Sequence, residues 1–164
     1  MNKSNLKSYA PQARKDFIAA VTARANLLGL SETAGTLEVA PAQTQGDVTV
    51  IAGQAWPAKV SGQRDKLIER IRKDGFAHTM EAVAYTWFNR FAALRYMELH
   101  DYLGHGHRAL SSTSGGLPDI LTHAADLTNE LPGLNVAKVT ERKHAGKREG
   151  EMEGMLLVAQ CNAL

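Results

Sequence analysis

The chain has 164 residues, 44% of them hydrophobic, and 19 basic against 17 acidic side chains leave a formal net charge of +2. That length suits one domain with a sizeable core, and so small a net charge does not by itself point to nucleic acid. The lone cysteine, Cys161, excludes an intrachain disulfide; residues 1–10 lack the apolar stretch of a signal peptide, and no apolar run approaches the ~20 residues of a membrane span, so a cytoplasmic protein without membrane attachment is expected.

The first ten residues are polar and read as loosely docked. Pro11 suits the first turn of a helix, and the segment that follows it stops at Gly29, a good C-terminal cap. Phe17, Val21 and Leu28 share a face of this helix, with Ile18 and Ala25 beside it. Arg24 falls inside that stripe and Arg14 at its border. Their aliphatic stems can cover apolar surface, or the two can serve a buried ion pair or a partner. Residues 31–46 are rich in Ala, Thr, Gly, Pro and Gln and read as a linker or long loop. Residues 47–51 (DVTVI) are β-branched, Ala52-Gly53-Gln54 can turn, and residues 55–60 can return as a second strand. Pro57 confines that strand to an edge or a bulge.

Ser61 is a good N-cap for a helix carrying Leu67, Ile68 and Ile71 and ending at Gly75. Thr79 can cap the central helix, which holds the densest aromatic stretch of the chain. Its apolar positions, Met80, Val83, Ala84, Trp87, Phe88, Phe91 and Leu94, fall on one stripe. The opposite side should be charged, yet it carries Tyr85, Asn89, Ala92 and Tyr96. Arg95 and Glu98 lie near the apolar stripe, where they can pair with each other. A helix with no charged face is either central to a bundle or pressed against a partner. Past Tyr102 the chain loosens into a glycine- and serine-rich loop. Pro118 opens another helix grouping Ile120, Leu121, Ala124 and Leu127, and Leu131-Pro132-Gly133 breaks it. A polar, basic segment follows to about residue 151. The chain then closes on an apolar helix opening with Met152, Met155, Leu156 and Ala159, and its abrupt end at Leu164 reads as that of a truncated piece. The fold class expected is mainly α, a helical bundle with a small β-hairpin near residues 47–60, in a single domain over residues 1–164.

Catalytic patterns are missing. No Gly-rich loop follows a clear strand, there is no Gly-x-Ser-x-Gly elbow, and Cys161 has no defined histidine partner. His100, His105 and His107 crowd together beside Asp101, and a His-x-His pair can reach one zinc ion. The glycines around them and the want of a second ligand cluster favour histidines at a helix C-terminus instead, so no metal is assigned. Lys138, Arg142, Lys143, Lys147 and Arg148 form a basic run that Glu141, Glu149 and Glu151 nearly neutralise. Lys59, Arg64 and Lys66 make a smaller basic group near Trp56. Both groups are candidate DNA contacts, against the plainer reading of a solvated charged surface with Trp56 in the core.

Four blocks carry a resemblance that these readings do not supply. They are YTWFNRFAALRYMELHDYL at Tyr85–Leu103, APQARKDFIAAVTARANLLGL at Ala10–Leu30, GLPDILTHAADL at Gly116–Leu127 and LLVAQCNAL at Leu156–Leu164. In this order they resemble the N-terminal region of the PglX family, the adenine-specific DNA methyltransferases of BREX phage-defence systems. The resemblance implies a much longer parent that continues into an S-adenosylmethionine-dependent catalytic domain and a target-recognition region. Such a parent methylates the exocyclic amine of adenine, which requires the base to leave the stack, and so distinguishes host from phage DNA. The family's Asn-Pro-Pro-Tyr motif and its Gly-rich cofactor motif do not occur here. No catalytic or cofactor-binding residue is therefore carried over, and no cofactor is expected in this fragment.

The resemblance implies a non-catalytic module that packs on the catalytic domain, shapes the DNA channel or docks other BREX proteins. Tyr85, Asn89, Ala92 and Tyr96 are then the candidate packing surface. The alternative is a stand-alone helical regulator from a truncated defence gene, binding DNA or protein, with Lys59, Arg64 and the run from Lys138 to Arg148 on any DNA. A third reading is a metal-binding domain built on His100, His105 and His107.

Overall fold

The first helix, α1 (Lys3–Leu27), starts eight residues ahead of Pro11 and runs through it. A proline inside a helix removes one backbone donor, to the carbonyl four residues back. Here that carbonyl belongs to Lys7, and both residues are exposed, so water can reach it. The expected loosely docked start is therefore helical from Lys3 in this computed structural model, which describes residues 3–124, 126–131 and 149–162. The helix ends where expected. Gly29 has φ +65° and its N–H donates to Asn26 O at 2.8 Å.

Residues 31–46, read as a linker or long loop, hold all but the first residue of three strands: β1 (Leu30–Thr33), β2 (Thr36–Val39) and β3 (Ala42–Gln45). The expected hairpin is present as β4 (Val48–Ile51) and β5 (Gln54–Pro57). β1 and β2 form a two-stranded antiparallel sheet, and β3, β4 and β5 a three-stranded one with β4 central. Pro57 sits on the edge strand β5, where its missing N–H breaks no ladder bond. Ala34 with Gly35, and Ala52 with Gly53, all take positive φ, as the two-residue turns of tight hairpins require. The fold is mainly α, but its β content exceeds one hairpin.

Helix α2 (Lys59–Asp74) begins two residues before Ser61, with Ala58 ahead of it and no side-chain cap. Gly75 ends it, φ +87°, with its N–H on Ile71 O. Helix α3 (Phe76–Leu99) follows at once, so Thr79 lies inside it rather than capping it. Thr79 is buried and its hydroxyl donates to Gly75 O at 2.7 Å. Beyond a loop, the helix expected after Pro118 is only one turn, α4 (Asp119–Thr122), followed by a 3-10 turn (Asp126–Asn129). The last element is α5 (Glu149–Asn162).

Two compact units are present, Met1–Phe88 and Asn89–Leu164, with the division inside α3. The first has a core of Ala25, Leu30, Ile68, Ile71, Phe76 and Met80, joined by Val21, Leu28, Leu37 and Leu67. The second is built on Leu94, Leu103, Ile120, Leu121, Leu127, Leu156 and Leu157. Both apolar stripes read from the sequence on α2 and α3 feed these cores.

Gly29 is the tightest point of the first unit. A Cβ there would stand 2.6 Å from Ala40 Cβ and 3.2 Å from Ile51 Cγ2. Left-handed backbone and overpacking act together in Gly29→Ala, which is expected to cost about 2–4 kcal/mol. The urea midpoint checks this, and an unchanged midpoint would contradict the close approach of Ala40 and Ile51 to Gly29.

Candidate functional site

The apolar stripe of α3 is covered except at Phe88, which lies at its border and is 38% exposed. Met80, Ala84 and Leu94 are buried, and Val83, Trp87 and Phe91 are half-buried. The other side is open. Tyr85 is 66% and Tyr96 56% exposed, and Asn89 and Ala92 are exposed between them. Phe88 and Leu99 add to this surface. The spacing from Tyr85 through Phe88, Ala92 and Tyr96 to Leu99 is three or four residues at each step, so they line one face of the helix. The four packing-surface candidates, Tyr85, Asn89, Ala92 and Tyr96, are thus all exposed.

In the first unit this face borders a groove of about 400 Å³ between α1 and α3. Phe17 and Phe88 meet edge-to-face at its base, 5.7 Å between centroids. Arg14 of α1 pairs with Glu81 of α3 at its edge. In the second unit Tyr96, His100 and Tyr102 cluster at the end of α3, with centroids 4.3 to 6.1 Å apart.

Arg95 and Glu98 do pair, but unequally. The Glu98 side chain is fully buried, whereas that of Arg95 is half exposed. Glu98 also accepts from the Leu110 N–H at 2.8 Å and the Ser111 hydroxyl at 3.0 Å. Burial alone would raise its pKa; the hydrogen bonds from Leu110, Arg95 and Ser111 outweigh that and hold it below the ordinary value.

The basic candidates part company. Lys59 and Lys66 are exposed on α2. Arg64 is 4% exposed, and its guanidinium donates to Leu28 O at 2.7 Å and to Ala40 O. Lys138, Arg142, Lys143, Lys147 and Arg148 lie outside the described residues. Trp56 is half-buried rather than in the core, with the Arg24 guanidinium 4.7 Å above its ring. That stacking is what Arg24 does inside the apolar stripe.

Of the three clustered histidines, His105 and His107 stay together, their rings stacked with centroids 5.9 Å apart, while His100 has other partners. His100 joins the two tyrosines. His105 accepts the His107 N–H at Nδ1, 3.1 Å, and meets Gln160 Oε1 through Nε2 at 2.6 Å. With Nδ1 accepting, Nε2 must carry the proton, so Gln160 is the acceptor. His107 stacks on His123, which the sequence reading left out, at 4.2 Å. Histidine is polar enough for a surface and flat enough for a stack, and its spacing alone carries no sign of either. Among the described residues no group of three His, Cys, Asp or Glu is placed to hold a metal. Burial pushes the Cys161 thiol up, away from a reactive thiolate. No described helix is long and apolar enough to cross a membrane.

No protein-family model matches the chain. Two curated proteins do. The adenine-specific methyltransferase BrxX of Escherichia coli O9:H4 (strain HS) is 41% identical over 167 residues, which covers 100% of this chain and 14% of that protein. The adenine-specific methyltransferase PglX of Lacticaseibacillus casei (strain Zhang) is 30% identical over 145 residues, covering 83% of the chain and 12% of that protein. The chain thus spans about one seventh of the curated relatives it matches.

Proposed function

The chain is a homologue of the adenine-specific methyltransferases named BrxX and PglX, and from that premise we propose that it is the non-catalytic N-terminal module of a DNA adenine N6-methyltransferase acting in BREX phage defence. The observation that carries this reading is the match over the whole chain to a small part of a much longer enzyme. The catalytic domain that binds S-adenosylmethionine then lies in the remainder of the polypeptide. The module packs on that remainder, helps shape the DNA channel or docks other BREX proteins. The exposed, uncharged α3 residues Tyr85, Asn89, Ala92 and Tyr96 support a packing role.

Tyr85→Glu in the full-length polypeptide places a carboxylate in that contact. A buried tyrosine anchor is worth about 2 kcal/mol or more, so impaired folding or methylation of target DNA is expected. Unchanged stability and methylation would remove the packing role. The reading as a whole is tested by the mass of the native product, through immunoblot against this chain. A product far above 17.8 kDa fits a methyltransferase module. One near that mass fits a free-standing regulator instead.

A further inference from the structure

We propose that the groove between α1 and α3 of the first unit receives an amphipathic helix from the remainder of the polypeptide, anchored by large apolar side chains; this rests on the module reading above.

The shape comes from two helical faces. Ala10, Arg14, Phe17 and Ile18 step along α1 at intervals of four, three and one, a single face. Glu81, Tyr85 and Phe88 step along α3 at intervals of four and three, again a single face, with Ala82 beside them. Each face runs for about two turns, roughly 11–12 Å at 1.5 Å per residue. Two such faces side by side make a trough, and a third helix is the element whose ridges fit it.

The chemistry of the occupant follows from the lining. Small residues, Ala10, Ala82 and Ala84, leave the room, and the Phe17–Phe88 pair gives an aromatic base. The Arg14–Glu81 pair satisfies its own charges at the edge. Most of the lining is apolar, with Arg14, His78 and Glu81 the ionisable exceptions, so leucine or aromatic anchors would be desolvated within it. The source follows from length. The chain spans 14% of the relative it matches end to end, so most of such a polypeptide is available to supply the helix. The groove is also continuous with the open α3 face through Tyr85 and Phe88, which line both.

The test uses the full-length protein with a photo-crosslinking residue, p-benzoylphenylalanine, in place of exposed Ala10 or exposed Tyr85, and in place of exposed Glu69 on α2 as the control. Crosslinks from both groove positions to a helical segment beyond residue 164 of the same polypeptide are expected, with none from the control. Adding Ala10→Trp, which fills the trough, should abolish the crosslink from Tyr85. Crosslinks confined to a second copy, to another protein or to DNA, or no groove crosslink at all in the full-length protein, would overturn the docking while leaving the module reading intact. A native product of only 17.8 kDa would remove both.

Discussion

Glu98→Ala is expected to lower the stability of the second unit by about 3 kcal/mol, because it strands a backbone donor inside the protein. The Glu98 carboxylate receives the Leu110 N–H, the Ser111 hydroxyl and the Arg95 guanidinium. It thereby ties the loop after α3 back onto the helix. Removing it leaves Leu110 N–H without this acceptor and opens a gap beneath Leu110. Glu98→Gln keeps the volume but turns one acceptor oxygen into a donor, so one bond must still be lost, at about 1–3 kcal/mol. Arg95→Ala removes a half-exposed partner and should cost about 1 kcal/mol or less. Chemical denaturation of the three variants reads this order, and a loss for Arg95→Ala as large as that for Glu98→Ala would contradict it.

The same carboxylate sets a pH dependence. Its pKa is lower folded than unfolded, so the fold prefers the ionised form. Its contribution is full above the ordinary value of 4.5, declines as pH falls below that, and is lost once pH passes under the lowered native value. Asp119 acts in the same direction, held low chiefly by the Ser112 hydroxyl and by the N–H and hydroxyl of Thr113. The second unit should therefore lose stability in acid, below about pH 4.5, and Glu98→Gln should flatten that loss. An unchanged acid profile in Glu98→Gln would place the acid sensitivity elsewhere.

Arg64→Met is expected to cost the first unit roughly 3 kcal/mol, since hydrogen bonds from a charged donor are worth ~1.5–3 kcal/mol each. The buried guanidinium bridges Leu28 O, just past the end of α1, and Ala40 O, just past β2. It holds α2 to both at once and sets a positive charge at the negative end of α1. Methionine fills much of the space and leaves both carbonyls without that donor. Lysine should rescue only part of the loss, because one ammonium cannot reach two carbonyls with the forked geometry of arginine. Wild-type stability in Arg64→Met, with a loss confined to salt-sensitive DNA binding, would return Arg64 to the phosphate role read from sequence.

Local pattern explains which expectations survived. The stripe of Leu67, Ile68 and Ile71 on α2, and that of Met80, Ala84 and Leu94 on α3, were legible because helical period is written into neighbouring residues. So were the stops at Gly29 and Gly75, where positive φ favours glycine. Strands β1, β2 and β3 were not legible. Each has only four residues, few of them buried, and the turn between β1 and β2 places Ala34 where Asn or Asp would have signalled it. The starts of α1 and α2 were misjudged for a related reason. A proline or serine that can begin a helix does not oblige it to begin there. Of the candidate surface, Tyr85, Asn89, Ala92 and Tyr96 were visible as one uncharged side of a helix. The groove beside them was not, because four of its ten lining residues come from α1, some seventy residues earlier in the chain.

By itself, then, the sequence determined the helical majority, the two apolar stripes, the uncharged side of α3 and the kinship with adenine-specific methyltransferases, all of which are properties of residues close together or of their order. Only the tertiary structure decided the fates of three arginines that look alike in sequence. Arg14 pairs with Glu81 at the surface, Arg24 lies over Trp56, and Arg64 is buried on two carbonyls. A guanidinium accepts any of these settings, and the choice among them is made by whatever the fold brings opposite it from distant parts of the chain.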